Sequence, residues 1–210
     1  MHSAKLVWIT PNAEALVGKI ARVSNPNNED KPNVQRLLRY LIKHKHWSPF
    51  EMASMCVEIK TTRAIAAQIL RHRSFSFQEF SQRYAEPIGD FPFELPNLRS
   101  QDNSNRQNSI DNLDDDTIKR HKSRMIELFE EAKRVYDRMI ADGVAKECAR
   151  SVLPLATETR LYMSGTLRSW LHYVDLRADN GTQREHMDIA RSIGEIFDTE
   201  CPTISRAMWS

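Results

Sequence analysis

The sequence predicts a single α+β domain in which a small mixed or antiparallel sheet is flanked by helices. Short segments with the alternation of strands are separated by longer segments with the periodicity of helices, and helix exceeds strand. The chain has 210 residues and no internal repeat. This length suffices for one sizeable core and is short for two, so we interpret residues 1–210 as one domain.

Short runs of β-branched and apolar residues, bounded by turn signals, predict the strands. The first run is closed by Pro11 and Asn12. The second carries Met55, Val57 and Ile59 on one face, because side chains alternate along a strand. The predicted strands cover residues 5–10, 55–61 and 157–163, and the aromatic-rich residues 75–84 are predicted to be extended.

Apolar residues at helical spacing, together with capping residues, predict the helices. The helix over residues 62–70 is apolar almost all round and is therefore predicted to be buried. The predicted helices lie at residues 12–23, 33–46, 62–70, 116–143, 145–152, 164–174 and 182–197. The predicted caps include Asp116 or Thr117, Ser164, and a capping box of Thr182 with Glu185.

Residues 86–113 are predicted to form a long exposed loop that is disordered in part. Pro87, Pro92 and Pro96 are followed there by a run of Asn, Ser, Gln and Asp. The segment directly follows the arginine-rich residues described below, which makes it a candidate lid.

Composition and charge argue against several classes of protein. The net charge of +2 is too small to imply a nucleic-acid partner. No apolar run approaches the roughly 20 residues of a membrane span, and the N-terminus lacks the apolar region of a secretory signal. The three cysteines are too widely spaced for a disulfide framework or a cysteine metal site. We expect a cytoplasmic protein without a metal, a membrane or a nucleic acid as partner.

The functional centre is predicted at residues 71–83, which read Arg-His-Arg-Ser-Phe-Ser-Phe-Gln-Glu-Phe-Ser-Gln-Arg. Arg71, His72 and Arg73 follow the helix predicted to be buried and have no acidic neighbour in sequence. Buried cations of this kind are costly unless an anion meets them. The arginine fork matches phosphate and carboxylate groups in two-bond geometry, so the segment is a candidate anion site.

If the chain stays extended after Phe77, Glu79, Ser81 and Arg83 share one face of the strand. An acceptor, a hydroxyl and a guanidinium on one face suit a nucleotide. Two other interpretations stay open on the residues alone. One is an arginine network paired with the chain's own carboxylates, and the other is a nucleic-acid surface on which the three phenylalanines stack. The near-neutral charge argues against the last.

The segment closely resembles the signature of flavin-dependent thymidylate synthases, the ThyX family. The family pattern of Arg-His-Arg, seven residues and Ser is met by Arg71, His72, Arg73 and Ser81. Further elements similar to the family's occur in the same order over nearly the whole chain. They are residues 21–24, 46–51, 149–154, 176–179, and Gln183 with Glu185.

The resemblance implies a methyltransferase that converts dUMP to dTMP. The carbon would come from methylenetetrahydrofolate, and the reducing equivalents from FAD that NADPH has reduced. The resemblance also implies a homotetramer whose active sites are shared between subunits. The family binds FAD without a glycine-rich Rossmann fingerprint, and the sequence contains none.

Carried over by position, the resemblance assigns the site residues. Arg177 is expected beside the uracil ring, where a guanidinium stabilises the ionised N3 form. Ser81 is expected to orient the substrate, in preference to a role as nucleophile, because no histidine is an obvious base for it. The residues expected at FAD are Ser48, Glu51, Arg71, His72, Arg73, Glu79, Thr166, Arg168 and His172. The residues expected at dUMP are Gln68, Arg71, Glu79, Phe80, Ser81, Gln82, Arg83, Arg150 and Arg177.

Three positions depart from the family pattern. Met52 stands where histidine is frequent, and Thr166 and His172 stand where asparagine is common; both can still donate hydrogen bonds. His186 is predicted to lie at the surface or at a helix end. The competing functions are a nucleotide- or flavin-binding protein without catalysis, against which the retained site residues count, and a single-stranded nucleic-acid binder.

Overall fold

A four-stranded antiparallel sheet forms the centre of the protein. The computed structural model describes residues 2–29, 31–87, 89, 91–179 and 181–209. The strands are β1 Ser3–Ile9, β2 Ser54–Thr62, β3 Ser76–Glu79, β4 Ser100–Gln101, β5 Ser109–Ile110 and β6 Glu158–Thr166. The main sheet has the order β1, β2, β6, β3 with every pair antiparallel, and β4 and β5 form a separate hairpin. The predicted α+β class with a small sheet is confirmed.

Helices surround this sheet. In the described residues they are α1 Ala13–Ile20, α2 Gln35–Lys43, α3 Arg63–Ile69, α4 Asp115–Ala141, α5 Lys146–Ala149, α6 Leu167–Arg177, α7 Arg184–Glu200 and α8 Pro202–Trp209. Sequence analysis missed α8, which buries Thr203, Ile204 and Ser205. None of the described helices combines the length and the apolar composition needed to cross a membrane.

The core lies on the face of the sheet that the period of two predicted. Met55, Val57 and Ile59 of β2 are fully buried, which confirms this face. Trp170 of α6 is also fully buried, and its indole N–H donates to the backbone carbonyl of Met55 at 3.0 Å. This hydrogen bond satisfies the buried donor and ties α6 to the sheet.

Two helix starts differ from the prediction. Asp114, and not Asp116 or Thr117, caps α4, and its carboxylate accepts from the backbone N–H of Thr117 at 2.8 Å. Thr166, and not Ser164, caps α6, because Ser164 still belongs to strand β6. In both cases several neighbouring residues are capable caps, and the sequence alone does not distinguish among them.

The capping box predicted at the start of α7 is wrong. Gln183 holds the cap position instead of Thr182. Glu185, the acid of the predicted box, forms a largely buried ion pair with Arg99. The carboxylate of Glu185 therefore pairs with Arg99, which is distant in sequence, and does not form the predicted local cap.

The extended conformation predicted over residues 75–84 ends with β3 at Glu79. Residues 81–84 form a turn, in which the backbone N–H of Tyr84 donates to the carbonyl of Ser81 at 3.1 Å. The predicted common face of Glu79, Ser81 and Arg83 is therefore wrong, because alternation holds only where the chain stays extended.

Residues 86–113 are not a loop without regular structure. They contain the β4–β5 hairpin, and Phe93 forms a bridge to Thr157 next to β6. The buried ring of Phe93 packs against Phe129 of α4, with ring centroids 5.3 Å apart. Within this segment, Ile88 and Asp90 lie outside the described residues.

Candidate active site

A cavity of about 580 Å³ lies where the C-terminal ends of α3 and α6 approach each other. It is lined by Gln68, Arg71, His72, Arg73, Leu176 and Arg177. Five of these residues belong to the predicted site. The tertiary structure therefore unites the arginine-rich segment with an arginine more than a hundred positions further along the chain.

Arg177 and His72 are in direct contact in this cavity. The Arg177 Nε–H donates to His72 Nε2 at 3.0 Å, so the imidazole must be neutral and carry its proton on Nδ1. Burial, and then the adjacent charge of Arg177, lowers the pKa of His72. Arg177 is thereby oriented by a neutral group, and no carboxylate among the described residues forms an ion pair with it.

Arg71 and Arg73 are both exposed at the rim of the cavity. The premise that they are buried is therefore wrong, and only His72 between them is half-buried. Within the described part of the chain, neither guanidinium forms an ion pair with a carboxylate. The internal arginine network considered above does not extend to these two residues.

A buried histidine lies behind the cavity. His186 lies in the first turn of α7, which agrees with the predicted helix-end position, but it is fully buried, so the alternative surface position is wrong. Its Nε2 lies 3.0 Å from the Tyr173 hydroxyl and its Nδ1 lies 3.4 Å from Gln68 Oε1. Burial, followed by the charge of Arg177 and the proximity of His72, lowers the pKa of His186 to about 4. The sequence held a signal for this position, because His186 shares the helical spacing of Ala190 and Ile193.

Polar side chains continue from this histidine to the hairpin. Gln68 Nε2 donates to Gln183 Oε1 at 2.7 Å, and Gln183 Nε2 donates to Glu185 Oε2 at 3.0 Å. Glu185 accepts from Arg99 at 2.9 Å, and these two side chains are only 12% and 9% exposed. Burial raises the pKa of Glu185, but hydrogen bonds from its own N–H, Gln183 and Arg99 outweigh burial and lower it.

Glu79 lies apart from the cavity and is held by a residue that sequence analysis missed. Arg63 Nη1 donates to Glu79 Oε1 at 2.8 Å, and Thr159 donates to the same oxygen at 2.9 Å. The other Nη of Arg63 donates to the carbonyl of Phe80 at 2.8 Å. Nothing in the sequence near Arg63 signals this pairing, since the partners are brought together by α3 and β3.

The turn that follows β3 lies beside α5. Arg83 Nε donates to Glu147 Oε2 at 3.1 Å, which places the turn near the exposed Arg150. The Ser81 hydroxyl accepts from the backbone N–H of Arg83 at 3.3 Å. Gln82 is buried, and its amide nitrogen has no hydrogen-bond partner among the described residues. The residues predicted for dUMP therefore fall into two groups, of which one lines the cavity and the other lies around this turn.

The residues predicted for FAD in the turn before β2 and at α6 form a third group. Ser48 begins a short 3₁₀ turn, Ser48–Glu51, which the fully buried Phe50 anchors. The carboxylate of Glu51, at the end of this turn, pairs with Arg168 of α6. Two residues predicted for one ligand are thus in contact across 117 positions of sequence.

Thr166 and His172, the two departures from the family pattern that lie at predicted FAD positions, have different surroundings. The Thr166 hydroxyl accepts from the backbone N–H of Ser169 at 3.3 Å and caps α6. His172 is exposed further along α6, and its ring lies against Trp47 with centroids 5.0 Å apart. The imidazole of His172 keeps its hydrogen-bonding groups accessible, whereas the hydroxyl of Thr166 is engaged in the helix.

Fold and site together define an α+β protein with a cationic cavity at the C-terminal ends of α3 and α6 that is suited to an anionic ligand. The sequence model of the family described as thymidylate synthase complementing protein matches residues 5–203. The chain belongs to the flavin-dependent thymidylate synthase family. It is 48% identical to the probable flavin-dependent thymidylate synthase of Paramecium bursaria Chlorella virus 1, over 98% of each chain.

Two further relatives agree. The flavin-dependent thymidylate synthase of a Synechocystis species is 50% identical over 93% of this chain and 89% of its own. The crystal structure of the UMP/dUMP methylase PolB from Streptomyces cacaoi, bound to 5-Br dUMP, superposes with a TM-score of 0.86 at 28% identity. This superposition covers 99% of this chain and 94% of PolB.

Proposed function

We propose that the protein methylates dUMP to dTMP, with methylenetetrahydrofolate as the carbon donor, FAD as its flavin and NADPH as the reductant. The observation that carries the proposal is the pair Arg71 and Arg73, whose charges meet no carboxylate in the described residues and border the cavity beside Arg177. The positive charges of such a cluster repel one another, and a multiply charged anion that binds between them removes this repulsion.

The residues at the cavity fit an FAD diphosphate. Arg71 and Arg73 offer two accessible guanidiniums, and His72 between them is half-buried and neutral. Bound FAD, once reduced, supplies the reducing equivalents of the reaction. The remaining FAD contacts are proposed for Ser48, Glu51, Glu79, Thr166, Arg168 and His172, with Thr166 acting mainly through the helix it caps.

Arg177 is proposed to act on the pyrimidine. Its Nε is held by His72, so the Nη groups remain to meet the uracil imide. A guanidinium in this place stabilises the N3 anion, which makes C5 more electron-rich and a better nucleophile toward the methylene carbon. Ser81 is proposed to orient dUMP, because its hydroxyl is engaged by the backbone N–H of Arg83 and not by a base.

A homotetramer is proposed to bring the two groups of dUMP residues together. Gln68, Arg71 and Arg177 line the cavity, whereas Ser81, Gln82, Arg83 and Arg150 lie around the turn after β3. A second subunit that presents its own turn to this cavity would complete the site. The apolar side chains of Leu176 at the cavity and Tyr84 in the turn are exposed and would be covered by such an arrangement.

The proposal places the enzyme in the cytoplasm. Cys56, Cys148 and Cys201 are all free thiols, as is usual in a reducing compartment.

An assay of NADPH oxidation with FAD, dUMP and methylenetetrahydrofolate tests this function. We expect yellow protein, NADPH oxidation, and dTMP as product. A parallel reaction with UMP decides the preference between the two nucleotides, and we expect dUMP to be preferred. A protein that stays colourless and binds no FAD when it is supplied would contradict the proposal.

A further inference from the structure

The polar side chains behind the cavity form one continuous series from Tyr173 to Arg99. The series runs through Tyr173, His186, Gln68, Gln183, Glu185 and Arg99, with successive donor–acceptor distances between 2.7 and 3.4 Å. Only Gln68 of this series lines the cavity. Its amide is therefore the point at which the series meets a ligand.

The direction of every hydrogen bond in this series follows from one residue. A carboxylate accepts only, so Glu185 requires the NH₂ end of Gln183 to face it. The carbonyl end of Gln183 must then face Gln68, which makes Gln68 donate. The Gln68 carbonyl is left for His186, which must carry its proton on Nδ1 and accept from Tyr173 at Nε2.

We propose that Glu185 is a positioning residue that fixes which end of the Gln68 amide donates and which end accepts at the ligand cavity. Each end of Gln68 has one group engaged, so one N–H and one carbonyl lone pair have no partner among the described residues, and Gln68 lines the cavity. These two groups match a neighbouring carbonyl and N–H of a pyrimidine imide. The inference rests on the proposed binding of dUMP in this cavity and adds the residue that sets its polarity.

Glu185 is suited to this role because its own position is fixed. Arg99 pairs with it in a largely buried contact, and Arg99 Nε is held in turn by the Ser109 hydroxyl of β5 at 2.9 Å. Gln183 is exposed and could turn freely without such an anchor. The hairpin in residues 86–113 therefore reaches the cavity through side chains without lining it.

The substitution Glu185→Gln tests the inference because it reverses the series without removing it. Arg99 still requires an acceptor, so the new amide turns its NH₂ end toward Gln183. Gln183 and Gln68 then invert, and His186 moves its proton from Nδ1 to Nε2. We expect the KM for dUMP to rise roughly tenfold with kcat nearly unchanged, as for the loss of a ground-state hydrogen bond.

The histidine proton gives a readout that does not depend on activity. Nuclear magnetic resonance of isotope-labelled histidine nitrogens distinguishes the two tautomers, and comparison with His186→Gln assigns the signal among the seven histidines. We expect the Nδ1–H form in the original protein and the Nε2–H form in Glu185→Gln. An unchanged tautomer in Glu185→Gln would overturn the inference.

The double substitution Gln183→Glu with Glu185→Gln is the decisive rescue. The carboxylate at position 183 accepts directly from Gln68, and the amide at position 185 donates to it while accepting from Arg99. Net charge and the original polarity of Gln68 are both restored, so the KM for dUMP and the Nδ1–H tautomer should return. Failure of the rescue in a folded protein would mean that Glu185 acts only as a structural ion pair.

Controls separate this inference from the proposed function. Glu127→Gln, in the exposed pair with Arg124 on α4, removes a carboxylate far from the series and should leave the KM unchanged. Gln183→Ala should fold, because this exposed cap residue makes no side-chain cap hydrogen bond, and it should also raise the KM. If the original protein binds no dUMP in titration calorimetry, the proposed function fails. If it binds dUMP and Glu185→Gln binds equally well, only the inference fails.

Discussion

Both ends of residues 71–83 contain arginine, but the arginines at the two ends differ in whether a carboxylate balances their charge. At the first end, Arg71 and Arg73 are unpaired within the described residues, and Arg177 is held by a neutral histidine. At the second end, Arg83 pairs with Glu147, and Glu79 pairs with Arg63. A single stretch of thirteen residues thus has one end with uncompensated charge and one end already neutralised.

This difference indicates which end of the segment can bind an anionic ligand more strongly. An arginine that is already paired must break its ion pair with a carboxylate before it can bind an anion. An unpaired arginine binds an anion without this cost. The cavity end is therefore the stronger anion site of an isolated subunit. The turn end is better suited to orienting a ligand whose charge is held elsewhere.

The largest expected effect concerns the cavity end. Arg177→Ala should lower the rate of dTMP formation by at least about a hundredfold, since it removes a charge that acts on the ionised pyrimidine. Flavin binding should remain largely intact, because Arg71 and Arg73 are unchanged. Steady-state kinetics and flavin absorbance measure the two effects, and Arg124→Ala on α4 is the control. Equal losses of both properties would contradict the role given to Arg177.

The next effect concerns the buried histidine behind the cavity. The pKa of His186 is about 4, against an ordinary value of 6.5, so between these values the unfolded chain binds a proton that the folded protein does not. Above pH 6.5 this difference does not affect the free energy of unfolding. As the pH falls from 6.5 toward 4, the free energy of unfolding decreases by about 3 kcal/mol.

Urea unfolding across this pH range measures the decline. His186→Gln can still accept from Tyr173 and donate to Gln68, but it does not titrate. The variant should therefore lose about 3 kcal/mol less than the original protein over the same pH range. An identical pH dependence in both proteins would show that His186 is not the group responsible.

A smaller effect is expected at the ion pair of the turn end. Arg63→Met keeps the length of the side chain and leaves the carboxylate of Glu79 with Thr159 alone. The two side chains are about one fifth exposed, 21% and 19%, so the loss should be near 2 kcal/mol, below that of a fully buried pair. Urea unfolding at neutral pH measures it, and adding Glu79→Gln should recover part of the loss.

The smallest effect is expected at the exposed pair of the same end. The side chains of Arg83 and Glu147 are 57% and 53% exposed, so Arg83→Met should change the free energy of unfolding by less than about 0.5 kcal/mol. The same measurement serves for this variant. A loss as large as that of Arg63→Met would mean that exposure does not distinguish the two pairs.

Local sequence patterns predicted the elements more accurately than their ends. The buried face of β2, with Met55, Val57 and Ile59, follows from a period of two that needs no knowledge of its neighbours. The caps of α4 and α6 were displaced by two or more residues, because several residues near each start can cap a helix equally well. The helix α8 was missed, although α1 has the same length of eight residues and was predicted.

In the candidate site, too, local motifs were predictable from the sequence and contacts between distant residues were not. Sequence motifs located Arg71, His72, Arg73 and Arg177, and the structure places them in one cavity. The pairing of Glu79 with Arg63 was not predictable, since the two residues meet only after α3 and β3 have packed.

By itself, the sequence determined the class of fold, the buried face of its central strands, and the family to which the chain belongs. These properties depend on side-chain period and on motifs, both of which are local along the chain. Tertiary structure alone decided which charges are cancelled and which way each amide points. Glu185 was predicted as a local cap, but it is the partner of Arg99 and is connected to Gln68 through Gln183. The physical reason is that a charge or a hydrogen bond is set by its neighbours in space, and only folding selects them.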